Sequence, residues 1–186
     1  MKNLICLLIV LLYYTASAQQ EKGDLSIQFS GNYLTQTVKF NGDEIKTSTG
    51  SVYVKFGQFF TPNLELGVKP NVFFFLQPDE KNAKKQNLKT NVGFGLYGTY
   101  SFLTADGKMV PYAGGEINYI PIGKESTVNL GPYAGVKYFV KENVNIDANV
   151  NYSFNVGSSY NDSSYKIGNL LAFNIGVGVI IGKTNP

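Results

Sequence analysis

Hydrophobic and polar residues alternate along most of this chain with a period of two residues. That is the period of a β-strand, because successive side chains of a strand point to opposite faces. In residues 144–154, for example, Val144 and Ile146 lie on one face, and Asn145 and Asp147 lie on the other. Helical periodicity is absent, and the 20 glycines would each cost a helix about 1 kcal/mol. The sequence therefore predicts an all-β protein.

Eight alternating segments follow one another after residue 19. Short turns at 60–63, 104–107 and 141–143 alternate with longer polar connections along the chain. This order favours an antiparallel up-and-down meander. Eight antiparallel strands can close into a β-barrel just wide enough to be filled by side chains. The predicted strands cover residues 24–34, 51–60, 63–75, 90–103, 109–120, 127–140, 143–155 and 165–182, and the longer connections cover 35–50, 76–89, 121–126 and 156–164.

The N-terminus has the pattern of a signal peptide. A lysine precedes an apolar run over residues 4–12, and residues 16–18 (Ala-Ser-Ala) match a small-x-small cleavage site. The run is shorter than the roughly 20 residues of a membrane-spanning helix, which disfavours the alternative of a retained anchor. We predict a signal peptide at 1–18 and an exported barrel domain at 19–186, so that cleavage removes Cys6 together with any thiol chemistry.

The residue types that most catalytic and metal sites require are missing from the mature chain. The sequence has no His and a single Cys, so Ser-His and Cys-His nucleophiles and the usual zinc sites are excluded. A G-x-G-x-x-G match at 93–98 lies within an alternating strand rather than between a strand and a helix, which argues against a nucleotide site. A net charge of +3 is too low to indicate nucleic-acid binding. We predict no enzyme activity, no cofactor and no metal.

The polar face of the strands is mostly small and uncharged. In the strand at 90–103 it carries Asn, Gly, Tyr, Thr and Ser but no charged residue. A soluble barrel turns its polar face to water and would carry Lys and Glu there, whereas small neutral residues suit a cramped lumen. We therefore expect the apolar face to point outward into lipid and the barrel to be transmembrane. Only helices and closed barrels can span lipid with their backbone hydrogen bonds satisfied.

Six charged residues also fall on the polar face, and we call them the lumen charge network. Lys137 and Asp147 lie at matching distances from the turn at 141–143, so they are expected to be cross-strand neighbours. Buried charges are tolerated when they are paired, so we interpret this set as a structural network that plugs the lumen. The three cations and three anions are Lys55, Lys69, Lys137, Glu65, Glu116 and Asp147.

Aromatic residues collect near both ends of the predicted strands, as expected for girdles at the two faces of a membrane. Pro70 and Pro132 fall inside predicted strands and should lie near the rims, because a closed barrel has no free edge to accommodate a proline. The girdle beside the short turns comprises Phe59, Phe60, Tyr100, Phe102, Tyr138 and Phe139, and the other comprises Tyr33, Phe73, Phe74, Phe75, Tyr119, Tyr152 and Phe154.

Three segments, 57–67, 110–115 and 135–144, mark turns and strand ends in a way that resembles the small outer-membrane β-barrel proteins of double-membraned bacteria, the OmpA/OmpX-like eight-stranded barrels. The resemblance implies an outer-membrane location, lipid and the barrel assembly machinery as partners, and both termini on the periplasmic side. Members of that family usually end on an aromatic residue that the assembly machinery reads, whereas this chain ends on Pro186.

The sequence thus favours a monomeric outer-membrane barrel with a structural or interaction role, whose loops face the cell exterior. One alternative is a narrow channel or a lateral path for small solutes, and another is a soluble lipocalin-like binder whose apolar face points inward. Charges in the longer connections are interpreted as solvated, although the lysines could contact lipid phosphates and the acidic pair could bind a cation. These charges are Asp43, Glu44, Lys81, Lys84, Lys85 and Lys89.

Overall fold

A computed structural model of the chain describes residues 20–40, 43–79, 82–104, 107–122, 125–158 and 170–182. These residues form eight strands, and each strand pairs antiparallel with its neighbours in sequence. No helix in the described ranges is long and apolar enough to cross a membrane. The strands are β1 (Leu25–Phe40), β2 (Asp43–Phe59), β3 (Leu64–Asp79), β4 (Asn82–Ser101), β5 (Met109–Ile122), β6 (Glu125–Lys141), β7 (Val144–Ser158) and β8 (Leu170–Ile181).

Pairing of β1 with β8 closes the sheet into a barrel. The two strands are in register from Leu25 opposite Ile181 to Gly31 opposite Ile175. The beginning of β1 and the end of β8 therefore lie at the same end of the barrel as the short turns. We call this end the turn end. The predicted eight-stranded up-and-down barrel is confirmed.

The strands are longer than the sequence pattern indicated at the end opposite the turns. β1 continues to Phe40 and β2 begins at Asp43, and the next two hairpins extend in the same way. The expectation of long loops at 35–50, 76–89 and 121–126 is therefore wrong. A strand that has polar residues on both faces gives no alternation signal, although its backbone still pairs with its neighbour. In the fourth predicted loop, β7 continues to Ser158, and residues 159–164 lie outside the described residues.

The apolar face of the wall points outward. In β8, Phe173 and Ile175 are each 71% exposed, whereas Asn174 between them is only 3% exposed. The same contrast recurs around the barrel, so the molecule has a polar interior and an apolar exterior. This arrangement is the reverse of a soluble protein and matches the outward orientation that the sequence predicted.

The girdle beside the turns is only partly as expected. Phe59 and Phe139 point into the barrel, where they pack with Val110 and Ile180, and Leu103 lies against this cluster. The expectation is wrong for these two residues because the interior has an apolar layer at the turn end, where aromatic residues occupy the inward face. The outward-facing residues of this girdle are Phe60, Tyr100, Phe102 and Tyr138.

At the opposite end, four aromatic residues are exposed and stand on the outer face as expected. Phe74 stacks on Tyr33 with ring centroids 6.3 Å apart. Phe73 differs, because it lies on the same face of β3 as the buried Lys69 and Asn71. The Phe75 side chain lies outside the described residues. The four exposed side chains are Tyr33, Tyr119, Tyr152 and Phe154.

Pro70 and Pro132 lie within β3 and β6 rather than at the rims, contrary to expectation. The β2–β3 ladder is interrupted at Pro70, which stays in register with Phe94 of β4. The β6–β7 ladder is likewise interrupted at Pro132, which stays in register with Gly115 of β5. Because a strand residue directs its N–H toward only one neighbouring strand, a proline breaks the ladder on one side and leaves the other side intact.

Glycines on the inward face make room for large lumen side chains. A Cβ added to Gly114 would lie 2.5 Å from Cζ of Tyr133, whereas a Cβ added to the outward-facing Gly115 would have no heavy atom closer than 3.9 Å. Two adjacent glycines of one strand therefore face very different surroundings.

We predict that Gly114→Ala lowers the free energy of unfolding by roughly 1–3 kcal/mol, because the added methyl overpacks the lumen against Tyr133. The matched control Gly115→Ala is expected to stay close to wild type. The measurement is urea unfolding in detergent micelles or lipid vesicles, followed by circular dichroism. Equal stabilities of the two variants would show that the lumen is not tightly packed at this point.

Candidate functional site

The barrel brings all six residues of the lumen charge network into its interior. Each is on the inward-facing side of its strand, and their exposed fractions lie between 0% and 6%. They come from β2, β3, β5, β6 and β7, so no single hairpin supplies them. The members are Lys55, Glu65, Lys69, Glu116, Lys137 and Asp147.

Glu65 is a centre of hydrogen bonding near the turn end. Its Oε2 accepts from Lys137 Nζ at 3.0 Å, which links β3 to β6 across the lumen. Its Oε1 accepts from Ser26 Oγ and Tyr97 Oη, each at 2.5 Å, which adds β1 and β4. One buried carboxylate therefore connects four strands and has a partner for each oxygen, as a buried anion requires.

Lys69 and Glu116 form the second ion pair. Lys69 Nζ lies 2.8 Å from Oε1 and 2.7 Å from Oε2 of Glu116, so a single ammonium serves both carboxylate oxygens. Glu116 also accepts bonds from Asn118 at 3.0 Å and from Asn151 at 3.4 Å. This cluster joins β3, β5 and β7.

Lys137 and Asp147 are cross-strand neighbours in the β6–β7 register, but they do not form an ion pair. The ammonium of Lys137 reaches Glu65 instead. Asp147 accepts a hydrogen bond from Tyr112 Oη at 2.5 Å and one from Asn149 Nδ2 at 2.6 Å. The buried carboxylate is therefore held by two neutral donors.

Lys55 differs from the other two lysines of the network. Among the residues that the structure describes, no carboxylate forms an ion pair with it. Its Nζ lies over the rings of Tyr133, Tyr97 and Tyr53, at 4.1, 4.8 and 5.9 Å from their centroids. These distances are in the range of cation–π attraction, which is strengthened where water is excluded.

A layer of neutral amides and hydroxyls lies beyond the charges, toward the end opposite the turns. Asn32 Nδ2 donates to Ser51 Oγ at 2.9 Å and to Asn174 Oδ1 at 2.7 Å. Asn174 in turn donates to Asn149 Oδ1 at 2.9 Å. These bonds tie β1, β2, β7 and β8 together.

Four tyrosines join the charges in the lumen, although the predicted lumen charge network did not include them. Tyr53, Tyr97, Tyr112 and Tyr133 are all at most 5% exposed and contact the charged residues. Strand parity places each of them on the inward face, because each lies at an even spacing from an inward-facing charge or glycine of its own strand. Parity does not show which charge a tyrosine contacts, because the partners of Tyr97, Tyr112 and Tyr133 lie on other strands.

The acidic residues of the lumen are distributed over separate hydrogen-bonded groups. The described residues contain no group of three or more His, Cys, Asp or Glu that could hold a metal ion. Their buried carboxylates are occupied by lysine, tyrosine, serine or asparagine donors. The side chains of Asp43, Glu44, Lys81, Lys84 and Lys85 lie outside the described residues, and Lys89 is exposed.

No protein-family model matches the chain, and no curated protein matches it either. Solved structures do share its fold. The outer membrane protein OprG from Pseudomonas aeruginosa is 16% identical, with a TM-score of 0.55, over 89% of this chain and 99% of that one. The N-terminal β-barrel domain of Pseudomonas aeruginosa OprF is 17% identical, with a TM-score of 0.51, over 87% of this chain and 100% of that one.

Neisserial surface protein A is similar in the same way, at 15% identity and a TM-score of 0.51, over 86% of this chain and 97% of that one. All three matches cover nearly the full length of both chains. At such low identities the likeness concerns the fold alone. The chain therefore has the fold of eight-stranded outer-membrane barrels, as the sequence resemblance suggested.

We predict that Glu65→Gln lowers the free energy of unfolding by about 3–5 kcal/mol, because the buried Lys137 then loses its counter-ion. The double variant Glu65→Gln/Lys137→Met should recover most of that loss. Glu142→Gln, at an exposed turn, is the matched control and should stay within about 0.5 kcal/mol of wild type.

Urea titrations of these variants in the same micelles provide the measurement. A Glu65→Gln barrel as stable as wild type would mean that the cross-lumen ion pair contributes nothing to the fold. An additive double variant would mean that the two side chains act independently.

Proposed function

We propose that this protein is an integral outer-membrane β-barrel with a structural or interaction role, in which the lumen charge network plugs the interior. The observation that carries the proposal is the inverted polarity of a closed barrel, with apolar side chains outside and hydrogen-bonded polar side chains inside. A wall of this kind is unstable in water and stable in lipid.

The soluble-binder alternative does not fit this polarity. A lipocalin-like protein must line its interior with apolar side chains to hold an apolar ligand. Here the inward positions carry charged and amide side chains at the level where a ligand would lie, and an apolar layer occurs only at the turn end. The orientation of the wall is thus an argument for a membrane rather than for an enclosed ligand.

The channel alternative is disfavoured by the contacts across the lumen. Lys137 and Glu65 form an ion pair across the lumen. The apolar cluster of Phe59, Val110, Phe139 and Ile180 fills the interior at the turn end. An ion that passed through would have to separate a buried pair and displace packed aromatic rings, and both steps are costly. We therefore assign interactions with the cell exterior to the end of the barrel opposite the turns, rather than to the lumen.

The proposed partners follow from the same location. Lipid would cover the apolar face, and the barrel assembly machinery would insert the exported chain after removal of residues 1–18. We propose that the barrel acts as a monomer with both termini on the periplasmic side. Residues 183–186 lie outside the described residues.

We predict that the mature protein fractionates with the outer membrane and changes gel mobility on boiling in detergent. A closed barrel resists detergent until heated, because its wall has no free edge at which unfolding can begin. The measurement compares boiled and unboiled samples of a purified outer-membrane fraction. An unshifted band together with protein in the soluble fraction would contradict the proposal.

We predict that the wild-type protein gives no steady single-channel conductance in planar lipid bilayers, since the lumen contacts obstruct ion flow. Refolded protein whose folded band has been verified by gel shift would be used. Steady conductance would instead favour the channel alternative. A change of that conductance in Lys137→Ala would then place the path through the lumen.

A further inference from the structure

The charges of the lumen network are not all neutralised by direct contact. Two ion pairs use two of its three lysines and two of its three carboxylates. The remaining members, Lys55 and Asp147, form no ion pair with each other or with any other described residue. Asp147 is compensated by donors on Tyr112 and Asn149. Lys55 needs a different compensation, because a buried ammonium without partners is strongly unfavourable.

Three tyrosine rings supply that compensation. Tyr53, Tyr97 and Tyr133, which we call the tyrosine cage, come from β2, β4 and β6. The rings of Tyr97 and Tyr133 lie closest to the Lys55 ammonium. The Tyr53 ring is shared, because its centroid lies 5.9 Å from Lys55 Nζ and 4.3 Å from Lys69 Nζ. Lys55 itself is only 4% exposed. An aromatic ring attracts a cation to its negative face, and a cage of several rings is a known way to bind ammonium groups.

Hydrogen bonds hold two of these rings in place. Tyr97 donates to Glu65 at 2.5 Å. The Tyr133 hydroxyl lies 2.6 Å from Thr99 Oγ1 and donates to the carbonyl oxygen of Gly98 at 3.0 Å. The hydroxyls of Tyr97 and Tyr133 are therefore held by groups other than Lys55. The positions of these two rings do not rest on the lysine alone.

We propose that the tyrosine cage is a binding site for small primary ammonium ions, which the native protein fills with its own Lys55 ammonium. Removal of that lysine would leave two lysines against three carboxylates in the network, so the emptied cage would also lie in a field that favours a cation. Asp24 is buried as well, but it binds the backbone of Glu21 at the turn end, outside this central set.

The tethered lysine therefore acts as a permanent occupant that keeps external cations out of the centre of the barrel. This deepens the closed-lumen role proposed above, on which it rests. It also gives the chemical class of a ligand that an altered barrel would accept: an unbranched primary ammonium ion whose length matches the missing part of the lysine.

The test is recovery of Lys55→Ala by propylammonium, which has the three carbons and the ammonium that the substitution removes. The full mature chain is refolded in micelles with propylammonium chloride or with sodium chloride at equal ionic strength. The readout is the temperature at which half of the folded gel band is lost. We expect Lys55→Ala to lose several degrees and propylammonium, but not sodium, to restore at least half of the loss.

Two control variants isolate the cage. Lys55→Met fills the cage with a neutral chain, so it should be destabilised but should not respond to the amine. Lys141→Ala removes an exposed lysine of equal size, so it should stay close to wild type and should not respond to the amine. An absent response of Lys55→Ala, or equal responses of all three variants, would overturn the proposal.

A second pair of variants tests the cage if Lys55→Ala does not fold. Tyr133→Phe keeps the ring and Tyr133→Leu removes it, while both lose the same hydroxyl. With Lys55 present the leucine variant should melt at a lower temperature than the phenylalanine variant, and in a Lys55→Met background this difference should become smaller, because only the packing loss remains. A difference that persists unchanged would contradict the cage.

The two proposals fail in different ways. Steady conductance of the wild-type barrel would contradict the closed lumen. Unrecovered Lys55→Ala, in a wild-type barrel that does not conduct, would contradict the cage alone.

Discussion

Closure of the sheet between β1 and β8 is the constraint on which the rest of the structure depends. Once the sheet is closed, the backbone polar groups of the wall pair with one another, and no strand edge remains along the paired length. Closure also divides the side chains into two sets, because alternate residues of every strand must point outward or inward. The outer set can then be uniformly apolar and the inner set polar, which is the condition for a stable place in lipid.

A polar interior raises a second problem, which is the desolvation of the buried groups. In the lumen, this desolvation is compensated by a different kind of partner for each buried charge. Glu65 has a lysine and two hydroxyls, Asp147 has a phenol and an amide, and Lys55 has aromatic rings. Each solution joins strands that are not neighbours in the sheet, so the contacts that stabilise the buried groups also brace the barrel from within. The proposed closed lumen and the proposed ammonium site both follow from this arrangement.

The sequence pattern was most informative where the two faces of a strand differ most. It therefore predicted the middle of every strand and the inward position of the charges. It failed at the end opposite the turns, where the regular alternation of apolar and polar residues is lost although the strands continue to Phe40 and Asp79. It also failed for Phe59 and Phe139, because an aromatic residue near a strand end suits both an outer girdle and an inner apolar layer. Pro70 lies within β3 instead of at a rim because a proline disturbs the pairing with only one of its two neighbouring strands.

The sequence by itself determined which residues share a face, since strand parity is a local property of the backbone. It thereby determined the all-β class, the polarity of the wall and the set of charges that lies inside. Only the tertiary structure decided which of those charges meet. Lys137 lies beside Asp147 in the register yet reaches Glu65 across the lumen, and Lys55 enters a cage built from three separate strands. Such partners depend on the tilt and stagger of the closed barrel, which no spacing along one strand encodes.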